Sequence, residues 1–325
     1  MKEATRKIVT IGGGSGHYVL LSGLRDVPHT DVTAIVSMID SGGSSGRLRD
    51  EFGILPPGDI LKCILALSPL RDSAAELLLK RFQQNPKLNG HNAGNLLLAM
   101  LAGYSSFTEA VAALSEILSI RGTVLPVSRD KATLVARLGN GERIFGEEAV
   151  GKRENRGKQK IEELFLVPHH NETIHAYPAA LQAIKEAEYI VIGPGDLFTS
   201  ILPNLIVPGV KEALLETKAT ILYMLNIMTT PGETRDFQAY DFVRVLQHYL
   251  GTQVQHVIYN NERPGTEVLK HYEKEYAKYV EIDQSAAQWK DHTIHAHDMI
   301  TVSKGIVRHD PAKLAHILKQ VMALT

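Results

Sequence analysis

Three runs of β-branched and apolar residues, each ending in a glycine-rich loop, constrain the fold of this 325-residue chain more tightly than any other feature. Lys7 to Ile11 leads into Gly12-Gly13-Gly14-Ser15-Gly16, after which Val19, Leu20, Leu21 and Leu24 follow at helical spacing. Val32 to Ile39 leads into Asp40-Ser41-Gly42-Gly43-Ser44-Ser45-Gly46-Arg47-Leu48-Arg49, read as the loop leaving a buried strand. That run shows no polar alternation apart from Thr33 and Ser37, as expected of a strand covered on both faces. Tyr189 to Ile192 leads into Gly193-Pro194-Gly195-Asp196, with Thr199 and Ser200 close behind. A helix that starts at the end of a strand turns its dipole and unpaired N–H groups toward that end, where they favour an anion. In open parallel sheets ligands bind outside the carboxyl ends of the strands, so three such loops predict one shared site. The expected fold class is α/β: a Rossmann-like three-layer domain with a mostly parallel sheet and a small β-rich excursion.

The loop chemistry narrows the ligand. The stretch from Asp40 to Arg49 holds three glycines, three serines, one carboxylate and two arginines. Glycine lets backbone approach a ligand, serine hydroxyls and backbone N–H groups bind phosphate oxygens, and arginine grips them as a fork. Gly42, Gly43, Ser44, Ser45 and Arg47 are therefore candidate ligand contacts, against the alternative of a plain surface loop. The first loop is not G-x-G-x-x-G, because His17 stands where the last glycine would fall, and it lacks the lysine of a P-loop. Together the loops predict a nucleotide or phosphate site of unspecified type. Asp40 occupies the place where a dinucleotide fold holds ribose hydroxyls. An acid there could equally cap a helix or hold a metal.

The remainder reads as alternating α and β. Pro56-Pro57-Gly58-Asp59 is a turn with Asp59 as helix N-cap, followed by helices over 60–67 and 74–82. The turn 89–95 opens an apolar helix over 96–101, with Asn92 as cap or ligand contact, and another helix covers 109–118. Residues 133–138 and 143–145 form a hairpin around Asn140-Gly141, and 161–167 is a further strand. The whole span 121–170 is expected as a β-rich excursion within a single domain of 325 residues. Helices over 179–187 and 240–250 and strands over 219–226 and 256–259 continue the alternation. A C-terminal α/β extension, 265–325, carries a charged helix over 265–278 and a final amphipathic helix over 312–324. His295 and His297 would share one strand face, but no further ligand motif accompanies them.

Composition excludes several classes. With 35 Lys+Arg against 36 Asp+Glu the net charge is −1, so no global field draws the chain to nucleic acid or membrane. The basic run from Lys152 to Lys160 reads as a solvated loop. One cysteine, Cys63, excludes an intramolecular disulfide; within its apolar run it reads as a buried structural thiol. No apolar run reaches the roughly 18 residues of a membrane span, and no signal peptide is evident, so a soluble, cytoplasmic protein is expected. The surface is compatible with a homodimer.

Further motifs in order are Gly94-Asn95-Leu96-Leu97-Leu98-Ala99, Arg121-Gly122, Pro203-Asn204-Leu205 and Asn226-Ile227-Met228-Thr229. With the three glycine loops, and through Arg308-His309, they make nearly the whole chain resemble the bacterial gluconeogenesis factor family (the YvcK type). That family is homologous to the 2-phospho-L-lactate transferases of deazaflavin-coenzyme biosynthesis. The resemblance implies a Rossmann-like domain binding a nucleotide: GDP-linked in the transferase branch, UDP-sugar in the bacterial branch, with Mg as a candidate companion. It also implies a role in cell shape and growth on gluconeogenic carbon sources, with no reaction assigned. It places Tyr272 and Arg308 where the UDP-sugar contacts are expected; Asn95, Gly193, Gly195, Asp196, Ser200 and Asn204, from the loops and motifs above, complete the candidate ligand contacts. If the chain is a transferase, Asp40 and Arg47 are its candidate catalytic residues, and no metal ligands are assigned. An NAD-dependent oxidoreductase is disfavoured by the glycine spacing. Two departures stand out. The family carries two acids before the double glycine, where this chain has Asp40 and Ser41, and serine after Gly-Pro-Gly, where it has Asp196, a candidate substitute charge.

Overall fold

The computed structural model describes residues 5–152, 159–169 and 173–324. The chain opens with strand β1 (Arg6–Gly12), helix α1 (Gly14–Leu24) and strand β2 (Thr30–Val36). Five helices follow: α2 (Gly43–Phe52), α3 (Gly58–Leu67), α4 (Arg71–Leu78), α5 (Ala93–Tyr104) and α6 (Phe107–Ile117). Strand β3 (Thr123–Pro126) precedes β4 (Ala132–Leu138), β5 (Arg143–Phe145), the short helix α7 (Glu147–Gly151) and β6 (Ile161–Pro168). Next come α8 (Pro178–Glu186), β7 (Tyr189–Ile192), a π-helical turn at Leu197–Ile201, α9 (Leu202–Leu205), α10 (Val210–Glu216) and β8 (Thr220–Met224). The chain closes with α11 (Ala239–Leu250), β9 (His256–Asn260), α12 (Thr266–Lys274), β10 (Thr293–His297), β11 (Ile300–Ser303), β12 (Ile306–His309) and α13 (Pro311–Val321).

Seven strands form one sheet in the order β10-β9-β8-β7-β1-β2-β3, every neighbouring pair parallel. The chain lays β2 and β3 on one side of β1, then returns to the other side with β7. The order therefore reverses between β1 and β7, and the crevice of a doubly wound sheet lies at such a point. Alternate side chains feed two cores. Ile8, Ala34, Val36 and Val191 pack under α1, α3, α6 and α13. Val9, Ile11, Ile35 and Ile192 pack under α8, α10 and α11. Ile8 and Ile11 have no exposed surface, and truncating either to alanine would cost about 2–5 kcal/mol. Three layers with a parallel sheet match the expected fold.

The differences are local. Thr123–Pro126 is the edge strand of the main sheet, so the β-rich excursion is limited to the antiparallel sheet β5-β4-β6 and α7. The second strand stops at Val36, and most of the stretch expected as its exit loop is helix α2. Leu48, packed with Ile54 and Ala99, buries one face of that helix, and Gly53 ends it in the left-handed conformation at φ +61. Tyr272 lies on a helix of nine residues, shorter than expected. β11 and β12 form a separate two-stranded hairpin whose residues from Ile306 onward return toward β1. Of the basic run, residues 153–158 lie outside the described residues. Among the described residues no helix is long and apolar enough to cross a membrane.

Candidate functional site, a cleft at the strand-order reversal

A cleft of about 410 Å³ opens at the carboxyl ends of β1, β7 and β8. Its floor is the turn Gly13–Gly16, where α1 begins. Pro194, Gly195, Asp196 and Ser200 form one side, Asn226 to Pro231 a second, and Tyr272 with Arg308 and His309 the third. Gly14 has φ +67, and a Cβ there would meet only Ser200 Oγ, at 3.5 Å, so it is open to the cleft. Gly16 has a different task. A Cβ on it would fall 2.4 Å from the Pro194 carbonyl oxygen, so its lack of a side chain lets the first and third glycine loops pack together. Asn204 reinforces that contact: fully buried, it donates from Nδ2 to the carbonyls of Gly12 and Ser200. Gly193 takes φ +76 beside the Met224 carbonyl, a position that favours glycine.

The third wall comes from the C-terminal extension. The Tyr272 hydroxyl accepts the Val307 N–H at 3.0 Å, tying α12 to β12 and setting Arg308 at the cleft edge. His309 is buried, bonded to the backbone of Leu225, and held down at a pKa of about 4 by desolvation. Its Nε2 and Asn226 Oδ1 are buried without a hydrogen-bond partner. Unpaired buried polar atoms cost free energy, and both residues line the cleft. Sequence reasoning missed both as contacts; Asn226 stood in a family motif, and His309 beside Arg308.

Through Gly14, Ser15, Asp196 and Ser200 the cleft continues into a second cavity of about 240 Å³, lined by Asp40, Asp59, Glu147 and Lys62. Asp59 is not the N-cap expected of it. Pro57 holds that position, and Asp59 accepts Lys62 Nζ at 2.9 Å. Asp40 accepts the Gly42 N–H at 2.9 Å, and burial and Asp59 raise its pKa. It faces this cavity rather than the larger cleft. Burial, then Asp40 and Asp59, lift the Glu147 carboxyl to about 7. Beneath the π-turn, fully buried Glu233 accepts the Phe198 N–H at 2.8 Å and the Thr199 hydroxyl at 2.5 Å. Its pKa is raised, first by burial and then by Asp196. Glu147, Lys62 and Glu233 carried no local sequence signal, and Asp59 carried the wrong one. Among the described residues no group of three or more His, Cys, Asp or Glu is arranged to hold a metal.

Gly13, Gly14, Ser15, Gly16, Gly195, Asp196, Ser200, Tyr272 and Arg308 thus meet at the cleft. Most of the second loop does not. Arg47, exposed, donates to the Asn89 carbonyl at 2.6 Å. Gly43 (φ +48) stands in open space. Ser44 bonds His91 at 2.9 Å and Asn95 at 3.1 Å in a buried network. Ser45 packs under Gly58 and bonds Asp40. Asn92 caps α5, accepting the Asn95 N–H at 2.7 Å. His17 lies fully buried between Thr10 and Cys63, under the glycine turn. His295 contacts His256 at 2.8 Å on the sheet edge, away from the cleft.

A doubly wound sheet with paired glycine loops at its reversal point defines the class, and the comparisons define the family. Residues 8–300 match the family model described as 2-phospho-L-lactate transferase CofD. The chain is 41% identical over 322 residues to the "Putative gluconeogenesis factor" of Thermotoga maritima, covering 97% of this chain and 99% of that one. It is 37% identical over 318 residues to the "Gluconeogenesis factor" of Bacillus subtilis, covering 97% and 98%. A crystal structure of a Bacillus halodurans protein, 35% identical, superposes with a TM-score of 0.89 over 97% of this chain and 99% of that one. The chain belongs to the gluconeogenesis factor family, within the wider CofD family.

Proposed function

We propose that the cleft binds a nucleoside-diphosphate sugar, a UDP-sugar before GDP. On this reading the protein acts as a cytoplasmic ligand-binding factor in growth on gluconeogenic carbon sources and in cell shape. One arrangement carries the reading: the start of α1, with Gly14 open above it, in a cleft also lined by Asn226 and His309, whose buried Oδ1 and Nε2 have no hydrogen-bond partner. The helix start suits a diphosphate, and Asn226 and His309 give that lining polar side chains. Arg308, at the edge, supplies positive charge to a lining that also carries the Asp196 and Glu275 carboxylates.

A thermal-shift screen against UDP-sugars, UDP, GDP and NAD tests this. UDP-sugars should raise Tm most; stabilisation by NAD alone would contradict it. A second reading, transfer from a nucleoside-diphosphate-activated donor, is favoured by the Glu147 carboxyl near 7, a value suited to a proton acceptor. Its signature would be a phosphodiester product that disappears in Asp40→Ala.

A further inference from the structure

Helix α12 ends in a geometry that glycine usually occupies. The Ala277 N–H donates to the Tyr272 carbonyl at 2.9 Å and the Tyr276 N–H to the Glu273 carbonyl at 3.0 Å. Those two bonds close the helix as a Schellman turn, whose reversing residue takes the left-handed conformation. That residue is Tyr276, at φ +62. A bulky side chain is strained there where glycine is not, and burial does not offset the strain, because Tyr276 is 56% exposed. Its ring has a specific partner instead: Arg235 Cζ lies 4.0 Å from the ring centroid, in a cation–π contact. Arg235 follows the segment that forms the second wall of the cleft, and Tyr276 closes the helix that carries the third. The same two segments are joined by buried backbone. The Thr229 N–H donates to the Lys278 carbonyl at 2.8 Å, the Lys278 N–H to the Thr229 hydroxyl at 2.8 Å, and the Val280 N–H to the Ile227 carbonyl at 2.9 Å. Lys278 and Asp236 add an exposed ion pair at 3.7 Å.

We propose that Tyr276 is a positioning residue: with Arg235 it latches the third wall of the cleft to the second, and so holds Tyr272 and Arg308 in place for the ligand. The inference deepens the nucleotide-sugar reading of the cleft and rests on it. Tyr272 and Ala277, the two residues joined by the turn, both line the cleft, and the Tyr272 hydroxyl holds the Val307 N–H beside Arg308. A shift at the end of α12 therefore moves the third wall both directly and through β12. A residue that breaks a local backbone rule on an exposed surface points to a role beyond folding. Here the ring reaches the one element against which that wall must be fixed.

The test is calorimetric titration of the full chain and its variants with UDP-glucose, paired with amide hydrogen exchange. Tyr276→Asn removes the ring and keeps a residue that accepts the left-handed conformation, so its Tm should stay within about 2 °C of the wild type. Its affinity should nevertheless fall about fivefold or more. The Lys278 and Val307 N–H groups should exchange at least about fivefold faster, with those of β1 unchanged. Tyr276→Phe keeps the ring and should retain affinity within about twofold. Arg235→Met should match Tyr276→Asn, and the double variant should be weaker than either single variant by no more than about twofold, as a coupled pair requires. Wild-type affinity in Tyr276→Asn, or unchanged exchange at Lys278 and Val307, overturns the latch and leaves the nucleotide reading standing. Additive losses in the double variant also overturn it, because the two residues would then act separately. No binding of UDP-glucose by the wild type overturns the nucleotide reading and this inference with it.

Discussion

Ser41 Oγ accepts the backbone N–H of Glu148 at 3.1 Å, and the Ser41 backbone in turn bonds the Glu147 carboxylate. Ser41 is thus one point where the β-rich excursion is tied to the loop after β2. The neighbouring acid, Glu147, stands in the same cavity as Asp40. Charge absent from position 41 is present next to it, delivered by a different element.

Ser41→Ala removes that tie without leaving a charge unpaired. It should destabilise the fold by about 1 kcal/mol. For a chain of this size Tm should drop by about 2 °C, measured by scanning calorimetry. An unchanged Tm would mean that the excursion is held by its apolar contacts alone.

Gly16→Ala should be far more damaging than its size suggests. The added methyl would meet the Pro194 carbonyl at 2.4 Å, backbone against side chain, so the two loops must separate. Overpacking of this kind costs about 1–3 kcal/mol, readable as a lower urea midpoint at unchanged slope. Gly43→Ala adds a methyl in open space and should cost only the strain of its positive φ, about 1 kcal/mol.

Stability should fall as pH rises from the ordinary glutamate range toward the raised pKa of Glu233. An ordinary glutamate has a pKa of 4.5, and that of Glu233 is raised in the fold by burial and by Asp196. The folded chain therefore retains a proton that the unfolded chain has lost. This contribution is intact below the ordinary glutamate range and is lost as pH climbs toward the raised value, at about 1.4 kcal/mol for each pH unit separating the two. Tm measured between about pH 5 and pH 9 should decline from the acid end and level off once pH passes the raised value, and Glu233→Gln should flatten the decline.

Tyr272→Phe deletes the acceptor for the Val307 N–H and should loosen the third wall, weakening UDP-sugar binding several-fold in calorimetry. Arg308→Ala removes an exposed side chain from the cleft edge. It should leave Tm within about 1 °C while weakening binding about tenfold.

The legible parts of this molecule were the local ones. β1 with Gly12–Gly16 and β7 with Gly193–Asp196 could be read from sequence, because a strand, a tight turn and a helix start lie within a few residues of each other. Composition alone could not say which partner each polar group would take. Arg47 went to Asn89, and Ser44 to His91 and Asn95, because α2 packs through Leu48 and turns the serine inward. Asp59 looked like a cap because it follows Pro-Pro-Gly, and only the approach of α3 to the strand ends shows its other neighbours. Asp196 looked like a substitute for the missing acid at 41. It does line the same cavity, but Glu147, whose position depends on the excursion folding back, is the acid bonded to Ser41.

The central claim is that the turn before α1 holds the diphosphate of a nucleotide. Titration of the wild-type chain and Gly14→Val with UDP-glucose, followed by calorimetry, tests it most directly. A Cβ at Gly14 would enter the open side of the cleft from a backbone with φ +67. The account predicts saturable one-to-one binding by the wild type and none by a folded Gly14→Val. Wild-type affinity in that variant, or no binding by the wild type, would contradict it.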